Sequence, residues 1–407
     1  MKRIFLYAMM ATAVLASCSQ SENEGASGTE PVDLTPSADA ILLSAAAPSV
    51  TVNTSTRSAG TIGGDGATIS NTWSGQKLYI YACQKDSKTG MTMSDRIADL
   101  NTYALRGEEG TVGTGDKISG VVWKNNESRY FPRSGAYDFF GYYGDDAVTG
   151  DAKTEAMNGT NVLYKSFVIN GSQDLMIAKA VLSDADKAKL DAEDINKAYS
   201  SYTARRDVQP SMKFEHLLTR LVFNIKGMGS SKPENVYVQS VKVMSKTTGK
   251  LVFVYAADAN KGIQWDGNTK SLLSLQERKG GIMQPLTDKT YYASAADAAT
   301  PTPVGEALLV EPGVETYDIE VVVKQEVDES GNTVPEDQQT ATYKLTLKAS
   351  EVTKEGVGAG ISTFAASTSY NVTIAVYGIK DIKLTAELGE WINGGDININ
   401  PDDTFTE

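Results

Sequence analysis

From Leu221 to Lys226 the side chains take sides: Leu221, Phe223 and Ile225 fall on one face of an extended chain, and Val222, Asn224 and Lys226 fall on the other. A period of two is the signature of a half-buried β-strand. The run Tyr343, Leu345, Leu347 against Lys344, Thr346, Lys348 repeats it, as does Tyr370, Val372, Ile374, Val376 against Asn371, Thr373, Ala375, Tyr377. The same alternation returns in the tail through Ile382, Leu384, Ala386 and Leu388, ahead of Trp391, and again at Ile397 and Ile399. Further runs rich in aromatic and β-branched residues cover Trp73 to Cys83, Lys117 to Trp123, Arg129 to Pro132, Tyr137 to Tyr143, Val162 to Ile169, Val236 to Met244, Leu251 to Tyr255 and Tyr317 to Val327. Turn clusters such as Asp328 to Asn332 separate them, and short strands spaced in this way predict an all-β protein built of antiparallel β-sandwiches. One segment departs from the pattern. Ser183 to Tyr199 is polar and alanine-rich, with Ser183 and Asp186 placed as an N-cap and only Leu190 and Ile195 as an apolar stripe, which predicts a small helical insertion on the surface.

At 407 residues the chain is long enough for two domains. The basic pair Arg205 and Arg206 followed by Pro210 marks the expected seam, giving one β-sandwich over 40–210 and a second over 211–407. Lys2 and Arg3 ahead of the apolar run Ile4 to Ala16 form a secretory leader over 1–17. It ends Leu15, Ala16, Ser17, Cys18, which resembles a bacterial lipobox whose cysteine is acylated and becomes the new amino terminus. An ordinary cleaved leader with a chance cysteine is the alternative. Residues 18–39 are almost all small or polar and read as a flexible tether. With Cys18 acylated, Cys83 is the single remaining thiol, so the mature chain has no internal disulfide and depends on its cores. A formal net charge of −13, made more negative when Lys2 and Arg3 leave with the leader, repels nucleic acid and excludes it as a partner.

Pro48 interrupts the apolar stretch Ala40 to Val52, which places it on a sheet edge or in two short strands. A break follows at Thr56, Arg57, Ser58, Ala59 and Gly60, where Arg57 sits among small residues as an exposed loop arginine open to proteolysis. The chain offers little chemistry. His216 is its one histidine, and it reads as a strand-start residue bonded to backbone; no nucleophile elbow or phosphate loop is present, so no catalytic residue, metal site or cofactor is assigned. The faint calcium-loop look of Asp258, Asn260 and Gly262 lacks a closing glutamate. Paired carboxylates such as Asp145 and Asp146 leave a hydrolase as a formal possibility. The rings of Trp123, Tyr130, Phe131, Tyr137, Phe139, Phe140, Tyr142 and Tyr143 fit either a sandwich core or a glycan-binding platform on a monomeric surface lipoprotein.

Several of these segments resemble the fimbrillin family, the subunits of type V pili of Gram-negative bacteria. They are the leader ending in Cys18, Trp123 followed by Tyr130-Phe131-Pro132, Asp174 to Ala178, and Phe214, His216, Leu217 and Leu221 ahead of the alternating run. Glu22 and Glu24 look like the acidic export tags of surface lipoproteins in such bacteria. The resemblance implies two transthyretin-like antiparallel β-sandwich domains, exported as an outer-membrane lipoprotein with acylated (palmitate-type) Cys18. It also implies an arginine-specific protease that cuts after Arg57 and removes the first strand, leaving a groove for a strand from the next subunit. The donor would be the carboxy-terminal strand of Ile382, Leu384, Ala386, Leu388 and Trp391, although those residues could equally complete their own sheet. Partners on this reading are other fimbrial subunits, the protease, the outer membrane and a host or bacterial surface receptor, and the product is a non-enzymatic adhesive fimbria.

Overall fold

The computed structural model describes residues 39–46, 51–52, 69–70, 76–112, 120–229, 232–286, 291–354, 357–379 and 381–389. The leader, Cys18, most of the tether, Arg57, Trp391, Ile397 and Ile399 lie outside the described residues. The described residues all belong to one unit.

Two pairs of facing sheets account for most of it. In the first pair, a six-stranded antiparallel sheet runs in the order Glu215–His216, Met176–Lys179, Ala136–Tyr143, Lys77–Lys85, Tyr103–Val112, Val121–Trp123. Its central strands are buried on both faces, so their alternation sorts residues between two cores and not between core and water. Tyr81, Cys83, Phe140 and Tyr142 point one way. Leu78, Ile80, Ala82, Tyr137 and Phe139 point the other. The first set meets a four-stranded sheet ordered Gly262–Trp265, Thr248–Tyr255, Thr160–Val168, Val148–Met157. Ring contacts close that interface: Phe253 lies 4.8 Å from Tyr81 and 4.7 Å from Tyr142, and Phe140 meets Tyr255 edge-on at 5.3 Å. Tilted and edge-on rings at this spacing are favourable quadrupole geometries.

In the second pair, the sheet order is Thr302–Val310, Thr219–Gly227, Ser369–Gly378, Asp381–Gly389, Thr353–Lys354, Val357–Gly358. It shares its core with a four-stranded antiparallel sheet of Ser271–Ser274, Val236–Ser245, Thr316–Gln325 and Thr340–Lys348. Leu221, Phe223 and Ile225 are buried here while Val222, Asn224 and Lys226 are half-buried, as the alternation requires.

Three features differ from the sequence reading. First, the sheets are not purely antiparallel: Thr219–Gly227 runs parallel to Ser369–Gly378, and Ser44–Ala46 runs parallel to Ser211–Lys213. Parallel neighbours need a long crossover, and the chain from Val236 to Lys348 supplies it for the first pair. Second, the seam expected at residue 210 runs through two sheets. Thr160–Val168 is zipped antiparallel to Thr248–Tyr255, from Val168 opposite Thr248 to Val162 opposite Tyr255, and Glu215–His216 pairs with Met176 and Ile177. Without that partner one edge of Thr160–Val168 would leave its backbone groups unpaired. Third, the helical insertion is three short pieces, Asp184–Lys187, a 3-10 turn at Ile195–Lys197 and Ser201–Ala204. Ser183 does cap the first, accepting from the Asp186 amide at 3.0 Å. An apolar stripe of Leu190 and Ile195 is too thin to hold one long helix. The segment is also more than a surface excursion, since Tyr199, Ala204 and Val208 enter the second core, where Tyr199 meets Phe139 edge-on at 5.8 Å.

Candidate functional site: the groove around residues 39–46

Beneath the outer face of the six-stranded sheet the second core is closed by residues from far apart in sequence: Ile41 and Leu43, the segment ending at Val208, then Met212 and Phe214. Ala40, Ile41 and Leu43 are buried and Leu42 is half exposed, so the segment behaves as a strand with one face on the core. Its backbone is paired along both edges. On one edge the Ile41 amide donates to Arg129 O at 2.7 Å, the Phe131 amide donates to Asp39 O at 2.9 Å, and the Val121 amide donates to Leu43 O at 2.7 Å. The indole Nε1 of Trp123 donates to Ile41 O at 3.3 Å. On the other edge the Leu42 amide donates to Gln209 Oε1 at 3.2 Å, while Gln209 Nε2 donates to Ala40 O at 3.1 Å. From Ser44 to Ala46 a true strand, Ser211–Lys213, takes over that edge in parallel register. Gly120 permits the close approach, because a Cβ there would stand 3.1 Å from Leu43 O.

At the head of the segment Asp39 forms a two-point ion pair with Arg205, at 2.7 Å and 2.9 Å. The guanidinium holds the Asp39 carboxyl below its usual range. Both groups are open to water, so this pair positions the segment more than it stabilises it. The holding force is the burial of Ile41 and Leu43, each contributing about 1.5–3 kcal/mol.

The tail residues lie elsewhere. Asp381–Gly389 runs antiparallel to Ser369–Gly378, with Leu388 opposite Tyr370 and Ile382 opposite Val376, and Glu387 faces Thr353 on its other side. Ile382 and Ala386 are buried and Leu384 and Leu388 half-buried, so here these four residues complete their own sheet, away from the groove.

The remaining candidates resolve into structure. His216 is buried with its Nδ1 2.6 Å from Asp174 Oδ2, so a carboxylate is among its partners. Nearby Arg220 is fully enclosed; burial pushes its guanidinium down to about 10 against the pull of Asp174 and Glu306, and its Nη1 donates to Ser369 Oγ at 2.9 Å. Asp145 accepts from the Tyr143 hydroxyl and the Asp174 amide, and burial raises its carboxyl. Asn260, from the faint calcium loop, is a buried brace: its Nδ2 donates to Met157 O at 2.9 Å and Thr160 Oγ1 at 2.8 Å. Among the described residues no cluster of His, Cys, Asp and Glu could hold a metal ion. The rings that suggested a glycan platform are core residues, since Trp123, Phe131, Tyr137, Phe139, Phe140 and Tyr142 are all buried and only Tyr130 among them is exposed.

Cys83 is buried too, and burial pushes its thiol up to about 12. A folded-state value above the unfolded one means the folded chain keeps its proton while the unfolded chain releases it. This contribution to stability is therefore complete below about 8.5 and declines as pH rises toward 12. Native protein at pH 8 should leave Cys83 unlabelled by a maleimide over hours, and unfolding in guanidinium should release one reactive thiol per mature chain; rapid native labelling would contradict the assignment.

Comparison with known proteins gives this arrangement its context. The sequence model of a family described as Fimbrillin-like matches residues 66–391. The chain belongs to the fimbrillin-like family. Solved structures similar to it include a protein of Bacteroides uniformis described as a cell adhesion protein, with 14% identity over 88% of this chain and 100% of that one at a TM-score of 0.46. A fimbrial protein of Bacteroides vulgatus has 16% identity over 77% of this chain and 91% of that one, with a TM-score of 0.39. A fimbrilin of Porphyromonas gingivalis has 10% identity over 88% and 98%, with a TM-score of 0.40. No curated protein sequence matches. Membership makes this fimbrillin-like chain a non-enzymatic, cell-surface fimbrial or adhesion protein.

Proposed function

We propose that this fimbrillin-like chain is a fibre subunit that assembles by exchanging strands, with residues 39–46 as the removable plug. The observation that carries the proposal is the position of that plug: an extended segment that holds two apolar anchors in the second core and leads into the short strand Ser44–Ala46, followed in sequence by Arg57. Cys18 anchors the precursor to the outer membrane through lipid, an arginine-specific protease cuts after Arg57, and the opened groove takes a strand from another subunit. The two pairs of facing sheets act as the two transthyretin-like sandwiches, fused across residue 210. The donor belongs to the carboxy-terminal end. If it is Ile382 to Trp391, the strand must first leave its pairing with Ser369–Gly378. Beyond it, Ile397 and Ile399 repeat the spacing of Ile41 and Leu43. The resulting fimbria meets its host or bacterial receptor through side chains of the assembled surface.

The test uses the secreted precursor and an arginine-specific protease. Trimming after Arg57 should release the amino-terminal piece and yield a ladder of polymers on a non-dissociating gel, whereas Arg57→Ala should remain monomeric. Polymers from untrimmed Arg57→Ala, or trimmed protein that stays monomeric, would overturn the proposal.

A further inference from the structure

Residues 204–213 lean on the plug through ion pair, hydrogen bond, strand pairing and core. The Arg205 fork holds Asp39, the Gln209 carboxamide bonds the Leu42 amide and the Ala40 carbonyl, and Ser211–Lys213 pairs with Ser44–Ala46. Ala204, Val208 and Met212 share a core with Ile41 and Leu43. Within that stretch Arg205, Arg206 and Asp207 are exposed, with the Arg205 side chain 59% open to water. An exposed turn carrying two arginines is the kind of place where a chain is nicked. Its conformation forbids that here. Arg205 has φ −67° and ψ −4°, and the amides of Arg206, Asp207 and Val208 are tied back to the carbonyls of Thr203 and Ala204 as a helical turn. A protease takes its substrate extended, so cleavage proceeds only from the fraction of molecules in which this turn has opened.

We propose that the peptide bond between Arg205 and Arg206 is a second processing site, closed while the groove is filled and open when it is empty, at which an arginine-specific protease retires subunits that have lost the plug without gaining a strand. In the reaction water adds to the Arg205 carbonyl carbon, the bond to the Arg206 nitrogen breaks, and a carboxylate and an amine are left. The plug blocks this twice. Asp39 occupies the guanidinium that the protease must read, and the contacts above hold the turn shut. Arg129, on the opposite edge of the plug, differs, because its guanidinium is held by Glu108 and Glu127, which are not part of the plug. The cut leaves Met212 and Phe214 close behind a new free end, so the groove loses one wall, while the pairing of Thr160–Val168 with Thr248–Tyr255 keeps the two pieces together. Gating by the plug stands on the geometry alone; the discard role rests on the exchange reading above.

The experiment uses the full chain with Arg57→Ala, so that the plug stays attached, and a purified arginine-specific endoprotease, with products read by intact mass. This parent should resist cutting after Arg205. Ile41→Ala with Leu43→Ala should accelerate that cut on the order of a hundredfold, the change in opening equilibrium that about 2.8 kcal/mol gives. Asp39→Asn, which leaves both anchors in place, should accelerate it about fivefold. In the anchor variant, adding Arg205→Gln should abolish the cut and adding Arg206→Gln should leave it. Arg106 and Arg220 lie within strands and report global unfolding. Cutting there at the same rate, no acceleration in the anchor variant, or a cut in this turn that persists with Arg205→Gln would overturn the inference. In a second arm the chain with Arg57 intact is trimmed and left to assemble. Monomers should be cut after Arg205 and polymers spared. Equal cutting of both would overturn the discard role, and absence of polymers would sink the exchange reading while leaving the gating result standing.

Discussion

Replacing Ile41 and Leu43 together by alanine should open the second core of the otherwise intact chain and lower stability by about 4–8 kcal/mol. Each side chain is almost completely buried, and large-to-alanine changes at such sites cost about 2–5 kcal/mol apiece. The two lie two residues apart on one extended segment facing one core, so their costs need not add. The damage should be local before it is global. Loss of the anchors uncovers Phe131, Phe139 and Met212, so the double variant should bind a hydrophobic dye at denaturant concentrations where the parent does not. Chemical unfolding followed by tryptophan fluorescence, in which Trp123 reports this core, gives the magnitude. A loss below about 1 kcal/mol would mean the segment is not seated in the core, and the plug reading would fall with it.

The second large effect is electrostatic. Asp138 is buried between two cations, with Lys85 Nζ 3.4 Å from Oδ1 and Lys179 Nζ 3.3 Å from Oδ2, and the Thr92 hydroxyl also donates to it. Lys85 is enclosed beside the Tyr199 ring, and burial depresses its ammonium in spite of the carboxylate. Asp138→Ala would leave that cation without a counterion inside the core, which should cost about 3–5 kcal/mol. The sign of the pH dependence follows. A lysine whose folded-state value lies below its unfolded one binds fewer protons when folded, so stability rises with pH in the interval below 10.5. Removing Asp138 depresses Lys85 further and widens that interval downward. The deficit of Asp138→Ala should therefore be larger at pH 7 than at pH 10, as measured by urea titration at the two values. A deficit that grows with pH would show that Lys85 is not the group left stranded. Pairing Asp138→Leu with Lys85→Met should recover most of the loss, because Lys179 is partly exposed and can turn to water.

The alternation of Leu221, Phe223 and Ile225 announced its strand because that strand has one face on a core and keeps a single phase throughout. Tyr103–Val112 is as long, yet its alternation is hidden. Tyr103 and Leu105 are buried in one phase and Gly110 and Val112 in the other, since Gly107 takes a positive φ of 88° in a bulge. Glycine is required at that point because a Cβ would strike the Tyr81 hydroxyl at 2.6 Å. Val148–Met157 was equally silent, being a polar strand that is mostly exposed at the edge of its sheet. Periodicity also says which face of a strand is buried but not what lies beside it. That is why the parallel partner of Thr219–Gly227 and the pairing of Thr160–Val168 with Thr248–Tyr255 could not be read, and why the tail's alternation fitted its own sheet and a neighbour's groove equally well. At the site itself Ile41 and Leu43 were visible only as members of the apolar stretch Ala40 to Val52. Gln209 was not, for an amide in a loop carries no pattern, and the only trace it leaves in the sequence is the proline beside it.

The pairing of Thr160–Val168 with Thr248–Tyr255, which reaches across residue 210, has a consequence for how the molecule is made. A ribosome delivers the amino-terminal part first, but the face of the ring cluster formed by Tyr81, Phe140 and Tyr142 is covered only when Phe253 and Tyr255 arrive. While the chain between Tyr142 and Phe253 is being synthesised, a cluster of bare aromatic rings is open to misassociation with other nascent chains. Folding therefore cannot proceed one half at a time, and a truncated product ending near residue 210 would emerge as an insoluble fragment.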